Sequence, residues 1–162
     1  MHIADVAHYV KAGSALDEDA RDRGTSVYFP DRAVHMFPAE LATGVCSLRP
    51  GVDRLVQSCV IDLDARGEPV RCVFHDGVIR SRARLTYAGV NAVLTGQPNA
   101  PTIADPAIVA MLREMHGLFE RLRDRRRRRG SIDFDLPEAE IRLDDEGQVE
   151  AITASERNDA HR

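Results

Sequence analysis

The stretch DRLVQSCVIDLDARGEPVRCVFHDGVI, Asp53 to Ile79, decides the fold class. In its first half Leu55, Gln57, Cys59, Ile61 and Leu63 recur at every second position, and the second half, Pro69 to Ile79, alternates in the same way. A period of two puts such residues on one face of an extended strand. Asp64-Ala-Arg-Gly67 joins the halves with a turn-forming aspartate at its start and a glycine at its end, so the whole reads as a β-hairpin.

Toward the C-terminus a second hairpin is expected, with Ala139 to Leu143 and Gln148 to Thr153 flanking Asp144-Asp-Glu-Gly147. Between the hairpins, Asp105-Pro106 supplies a helix N-cap followed by proline at the first helical position. Ile108, Val109, Leu112, Met115, Phe119 and Leu122 then recur at three and four, so one face of a long helix is buried. Gln97 to Pro106 reads as a surface loop. Toward the N-terminus, His2 to Val10 opens with strand-like apolar residues. Ser14, the acidic residues after it and Gly24 mark a short helix from Ala15 to Arg23. The chain then runs extended through Ser26 to Phe29, because the residue before Pro30 is disfavoured in a helix. These elements predict an α+β protein with antiparallel or mixed sheet and packing helices.

At 162 residues the chain suits one domain, 1–162, and is short for two. Hydrophobic content of 43% with 30% charged residues fits a folded, water-exposed protein. No apolar run approaches the roughly 20 residues of a membrane-spanning helix, and MHIADVAHYVK has neither the basic region nor the apolar stretch of a signal peptide, so a cytoplasmic location is expected. Cys46, Cys59 and Cys72 are odd in number and far apart in sequence, which argues against a disulfide framework and a zinc site. With a net charge of −4, any polyanion must meet a local basic patch.

Arg125 to Arg129 is such a patch. Cations there oppose the negative end of the long helix's dipole, and they equally suit an anionic strand; the sequence leaves both readings open. The close pairs Asp62/Asp64, Asp133/Asp135 and Asp144/Asp145 have the chemistry to bind Mg²⁺ but sit where turns and strand faces meet solvent. No histidine pairs with an acid in metalloprotease style, and no phosphate loop or nucleophile elbow is present. The aromatic residues are the odd feature. Three of eight, Tyr28, Phe29 and Phe37, lie in RGTSVYFPDRAVHMFP, outside any helical core. Tyr28, Tyr87 in RARLTY and Phe134 in GSIDFD stand at the ends of strands or turns. Arg82 and Arg84 lie just before Tyr87, and aromatic planes beside guanidinium groups stack bases and hold phosphates. Filling a core is the alternative use of the same rings.

Read as a string, HIADVAHYVKAGSALDEDARDRGTSVYFPDRAVHMFPAELATGVCSLRPGVDRL resembles the RNB catalytic domain of the ribonuclease R and ribonuclease II family, and is closer to ribonuclease R. The resemblance continues through SRARLTYAGVNAVLTG, RRRRGSIDFDLPEAEI and ERNDAH, so it covers essentially the whole chain. It implies a processive 3′-to-5′ exoribonuclease that uses Mg²⁺ and water to release nucleoside 5′-monophosphates from the 3′ end of single-stranded RNA. It implies that Tyr28 and Phe134 form an aromatic clamp on the terminal bases and that Tyr87 positions the terminal nucleotide; Arg82 and Arg84, placed beside Tyr87, are expected to contribute to RNA binding.

The resemblance also has gaps. The family's aspartate cluster for Mg²⁺, of the form D-x-x-x-x-x-D-x-D-D, precedes the segment that matches HIADV, and Asp5 is not assigned a metal role. The family's assisting arginine follows the NDAH segment. The expectation is therefore a partial RNB domain without flanking cold-shock or S1 barrels, holding a clamp but no metal ligands or catalytic residue, and inactive by itself without the remainder of the domain. The alternatives are a stand-alone, catalytically inactive RNA-binding module and a protein-binding sheet.

Overall fold

The computed structural model describes residues 1–97, 103–132, 138–154 and 158–161. It is a mixed α+β fold with antiparallel sheets and packing helices. Two compact units are distinguished: Met1–Val60 with Cys72–Arg84 and Ala139–Thr153, and Ile61–Arg71 with Leu85–Glu138 and Ala154–Arg162.

In the first unit, β1 (His2–Ala4) lies antiparallel to β4 (Asp53–Leu63), with Ile3 opposite Gln57 and Ala4 opposite Val56. The chain terminus takes part, since the Met1 ammonium donates to the Cys59 carbonyl at 2.8 Å. Strand β5 (Pro69–Arg80) completes the order β1-β4-β5. The long hairpin is therefore the one its alternation and DARG turn predict. Burial does not follow one face of β4: Val56 is fully buried, Ser58 with it, and Cys59 on the opposite parity is buried too. Cys59 and Cys72, far apart in sequence, meet across the hairpin with their sulfurs 3.3 Å apart, both as free thiols. The contact with Cys59 pushes the Cys72 thiol above its ordinary range. At the hairpin's open end Arg80 grips Asp53 through two bonds of 2.7 and 2.9 Å and holds that carboxyl below its usual range.

The N-terminal run is strand only to Ala4. Asp5 then caps a single helical turn, α1 (Val6–Tyr9), by accepting from the His8 amide, so a local side-chain bond overrides the strand-like composition. Helix α2 (Ala15–Arg23) begins and ends where Ser14 and Gly24 predict. Ser14 accepts from the Asp17 amide, and the Asp17 side chain reaches back to the Gly13 amide at 2.8 Å. Strands β2 (Val27–Tyr28) and β3 (Ala33–Val34) form a small hairpin around Pro30 and Asp31. A π-helical turn at Glu40–Val45 follows. Strands β6 (Ala139–Leu143) and β7 (Val149–Ala154) form the predicted second hairpin.

In the second unit, α4 (Pro106–Arg128) starts on the Asp105 cap and buries Ile108 and Leu112. Helix α3 (Tyr87–Thr95), which the sequence reading did not anticipate, packs on α4 and on a 3-10 turn at Asp159–His161. Among the described residues no helix is long and apolar enough to cross a membrane.

Candidate nucleic-acid interface

Tyr28 ends β2 and is 74% exposed. The turn that carries it is closed by the Phe29 amide donating to the Arg32 carbonyl at 2.7 Å, and by the Ser26 hydroxyl accepting from the Met36 amide at 2.9 Å. The His35 ring meets Tyr28 edge-on at 6.5 Å, and the Arg32 guanidinium lies 5.3 Å from the centre of the Phe29 ring. Neither contact covers Tyr28. A hydrogen-bonded hairpin thus presents an aromatic plane to solvent, as a stacking platform requires.

The second cluster in the first unit forms where Leu48 to Gly51 runs beside Ser81 to Arg84. The Gly51 amide donates to the Ser81 carbonyl at 2.8 Å, and Pro50 pairs with Ser81 in a parallel bridge. Beside them is an open depression of about 860 Å³, lined by Thr43, Ser47, Arg49 and Arg84 among others. Arg82 is exposed on the same segment.

Tyr87, in the second unit, is the first residue of α3. Thr86 caps that helix by accepting from the Gly89 amide at 3.2 Å, which is why the chain stops being extended at this tyrosine. Tyr87 is 62% exposed, and one face is stacked on His161 with ring centres 4.2 Å apart and planes at 16°. His161 is held there by Asn158, whose carbonyl accepts from the His161 amide at 3.0 Å and whose side-chain oxygen accepts from the Ala160 amide. Tyr87 also edges an apolar groove of about 420 Å³ formed with Val90, Leu94, Leu112, Met115 and Phe119. His161 and Arg49 were not singled out from the sequence. Their partners are remote in the chain, and no local spacing signals either contact.

Phe134, and with it Asp133 and Asp135, lies outside the described residues. In the arginine run, Arg125 donates to the Gly67 carbonyl at 2.9 Å and pairs with Glu68, so this guanidinium is committed to the hairpin turn. Four aspartates are committed locally as well. Asp5 caps α1, Asp53 is bound by Arg80, and Asp64 and Asp144 each accept two backbone amides of their own turns. Among the described residues no three His, Cys, Asp or Glu side chains converge to hold a metal. These residues do not fit a Mg²⁺ site.

The family model for the RNB domain matches residues 1–162. Ribonuclease R of Aquifex aeolicus is 44% identical over 162 residues, a match covering 100% of this chain and 23% of that protein. Ribonuclease R of Escherichia coli is 41% identical over 160 residues, covering 99% and 20%. The solved structure of Mycoplasma genitalium RNase R in complex with ribose methylated single-stranded RNA superimposes with a TM-score of 0.91 at 31% identity, covering 98% of this chain and 24% of that one. The chain thus spans about a quarter or less of the length of these relatives. By the match along its full length, the chain belongs to the RNB domain family.

Proposed function

We propose that these residues form the RNA-holding part of a processive 3′-to-5′ exoribonuclease that hydrolyses single-stranded RNA to nucleoside 5′-monophosphates. The end-to-end likeness to Ribonuclease R carries the reading. The exposed rings give it a physical basis. Stacking on an aromatic plane stabilises a bound base by about 1 to 3 kcal/mol and tolerates any base, as an enzyme that advances without reading sequence requires. Tyr28 takes one terminal base, with Phe134 as its partner in the clamp. Tyr87 positions the last nucleotide on the face that His161 leaves open, and Arg82 and Arg84 meet the phosphates. One relative was solved with single-stranded and with double-stranded RNA, which supports RNA as the ligand class.

Magnesium belongs to the complete enzyme, and its ligands are not drawn from the described carboxylates. What the present residues do is bind and orient the strand. The alternative, a binding module without hydrolysis, is favoured by the local commitment of Asp5, Asp53, Asp64 and Asp144.

The test is titration of a 5′-labelled single-stranded RNA with the protein at low salt, in the presence and absence of Mg²⁺. Retarded, unshortened RNA is expected from these 162 residues, with Tyr28→Ala and Tyr87→Ala each weakening binding about tenfold. Affinity unchanged in both variants removes the stacking assignment. Shortening from the 3′ end by the chain itself overturns the separation of clamp from metal site, and absence of binding at low salt leaves a protein-binding sheet.

A further inference from the structure

The depression beside Arg84 contains a residue that nothing so far has given a role. Its polar lining side chains are the guanidiniums of Arg49 and Arg84 and the hydroxyls of Thr43 and Ser47, with no carboxylate among the lining residues. In a chain of net charge −4 that is a local reversal of sign.

The surrounding backbone is tied down by the same type of group. Arg49 donates through Nη2 to the Thr43 carbonyl, and Arg54 donates through Nε to the Ser47 carbonyl at 2.9 Å and reaches the Gly44 carbonyl. The carbonyls at the end of the π-helical turn are therefore already satisfied and do not compete for an incoming anion's donors. The Thr43 hydroxyl is used on the Ala39 carbonyl at 2.9 Å. What remains to face the depression is the rest of the Arg49 guanidinium, the exposed Arg84 guanidinium and the Ser47 hydroxyl. The bond from Gly51 to Ser81 fixes the two arginine-bearing segments side by side.

We propose that Arg49, with Arg84 and Ser47, binds a backbone phosphodiester of single-stranded RNA. Guanidinium forks match two phosphate oxygens, and a hydroxyl donor completes the set. The lining contains no aromatic ring, so the site takes the sugar-phosphate backbone and not a base. This rests on the RNA reading above, adding Arg49 and Ser47 to the residues that hold the strand.

The experiment measures affinity for a single-stranded RNA against KCl concentration for the wild-type chain, Arg49→Gln, Arg84→Gln and Arg49→Lys. Each glutamine variant is expected to weaken binding about five- to tenfold at low salt and to flatten the dependence of log affinity on log salt by about 0.7. Arg49→Lys, which keeps the charge, is expected to restore most of the slope. Arg84→Gln serves where Arg49→Gln disturbs the loop, because among the described residues the loop carbonyls are bonded by Arg49 and Arg54. Wild-type binding with unchanged slopes in both glutamine variants overturns this site, together with the phosphate role of Arg84, while RNA as the ligand stands. Failure of the wild type to bind at low salt overturns the RNA reading, and this site with it.

Discussion

Two hairpin turns in this chain have the same chemistry and different surroundings. In Asp64-Ala-Arg-Gly67 and Asp144-Asp-Glu-Gly147 the glycine amide donates to the aspartate carbonyl at 3.0 Å, and the glycine adopts φ of 77°. In both, the aspartate side chain accepts from the amides two and four residues on. The first turn is also held by α4: Arg125 bonds Gly67 and Glu68, and a Leu122 methyl lies 3.2 Å from where a side chain on Gly67 would begin. Around the same point at Gly147 no atom of the described residues lies within 4 Å. The comparison separates two jobs. An aspartate and a left-handed glycine suffice to reverse a strand, whereas the clasp ties the turn itself to α4.

Glycine replacement gives the largest contrast. Gly147→Ala is expected to cost about 1 kcal/mol, the strain of a side chain at positive φ. Gly67→Ala adds the crowding of Leu122 and is expected to cost about 2 to 3 kcal/mol in denaturant unfolding. In a Leu122→Ala background the excess should vanish, and equal costs for both glycines in the parent chain would break the comparison.

A smaller effect is expected from Arg125→Gln, about 1 to 2 kcal/mol, since a half-buried guanidinium loses a bond to a backbone carbonyl. Arg142→Gln, exposed on β6 beside the unclasped turn, should fall within about 0.5 kcal/mol of the parent. A loss at Arg142 as large as at Arg125 would mean that the clasp is not what distinguishes the hairpins.

The smallest effect concerns acid. The Glu68 amide, aided by the Arg66 amide, holds the Asp64 carboxyl below its ordinary range. The folded pKa is therefore lower than the unfolded one. The stabilisation is complete above the ordinary aspartate range and is lost as pH falls through that range toward the folded value. Asp64→Asn should flatten the decline of stability between pH 6 and pH 3; an unaltered acid limb would assign that decline to other carboxylates.

Both hairpins could be read from sequence because their punctuation is local: alternating runs separated by D-x-x-G. Helix α4 was legible for the same reason, through Asp105-Pro106 and a three-four apolar repeat. Helix α3 carries Thr86 and Gly96 as caps, but its residues YAGVNAVLT are nearly all apolar or small, so no polar face marks a period. The first residues misled because Asp5 reverses a strand-like composition with one side-chain bond. Of the candidate site, Tyr28 and Tyr87 stand out as aromatics beside arginine, and the role proposed for them comes from family likeness. The stack of His161 on Tyr87 and the place of Arg49 beside Arg84 arise only when distant segments meet.

The clasp also bears on the order of assembly. Arg125 reaches across 58 residues to Gly67, whereas each turn closes over a handful. Bringing together ends that far apart costs about 2 kcal/mol more in chain entropy than closing a short loop. Each turn can form within microseconds as an independent event, and the clasp closes on the Asp64-Ala-Arg-Gly67 turn only once most of α4 is in place. An interaction made that late governs escape from the native state more than entry to it. Loss of Arg125 should therefore steepen neither arm of a chevron plot, but raise the unfolding arm and leave the refolding arm where it was.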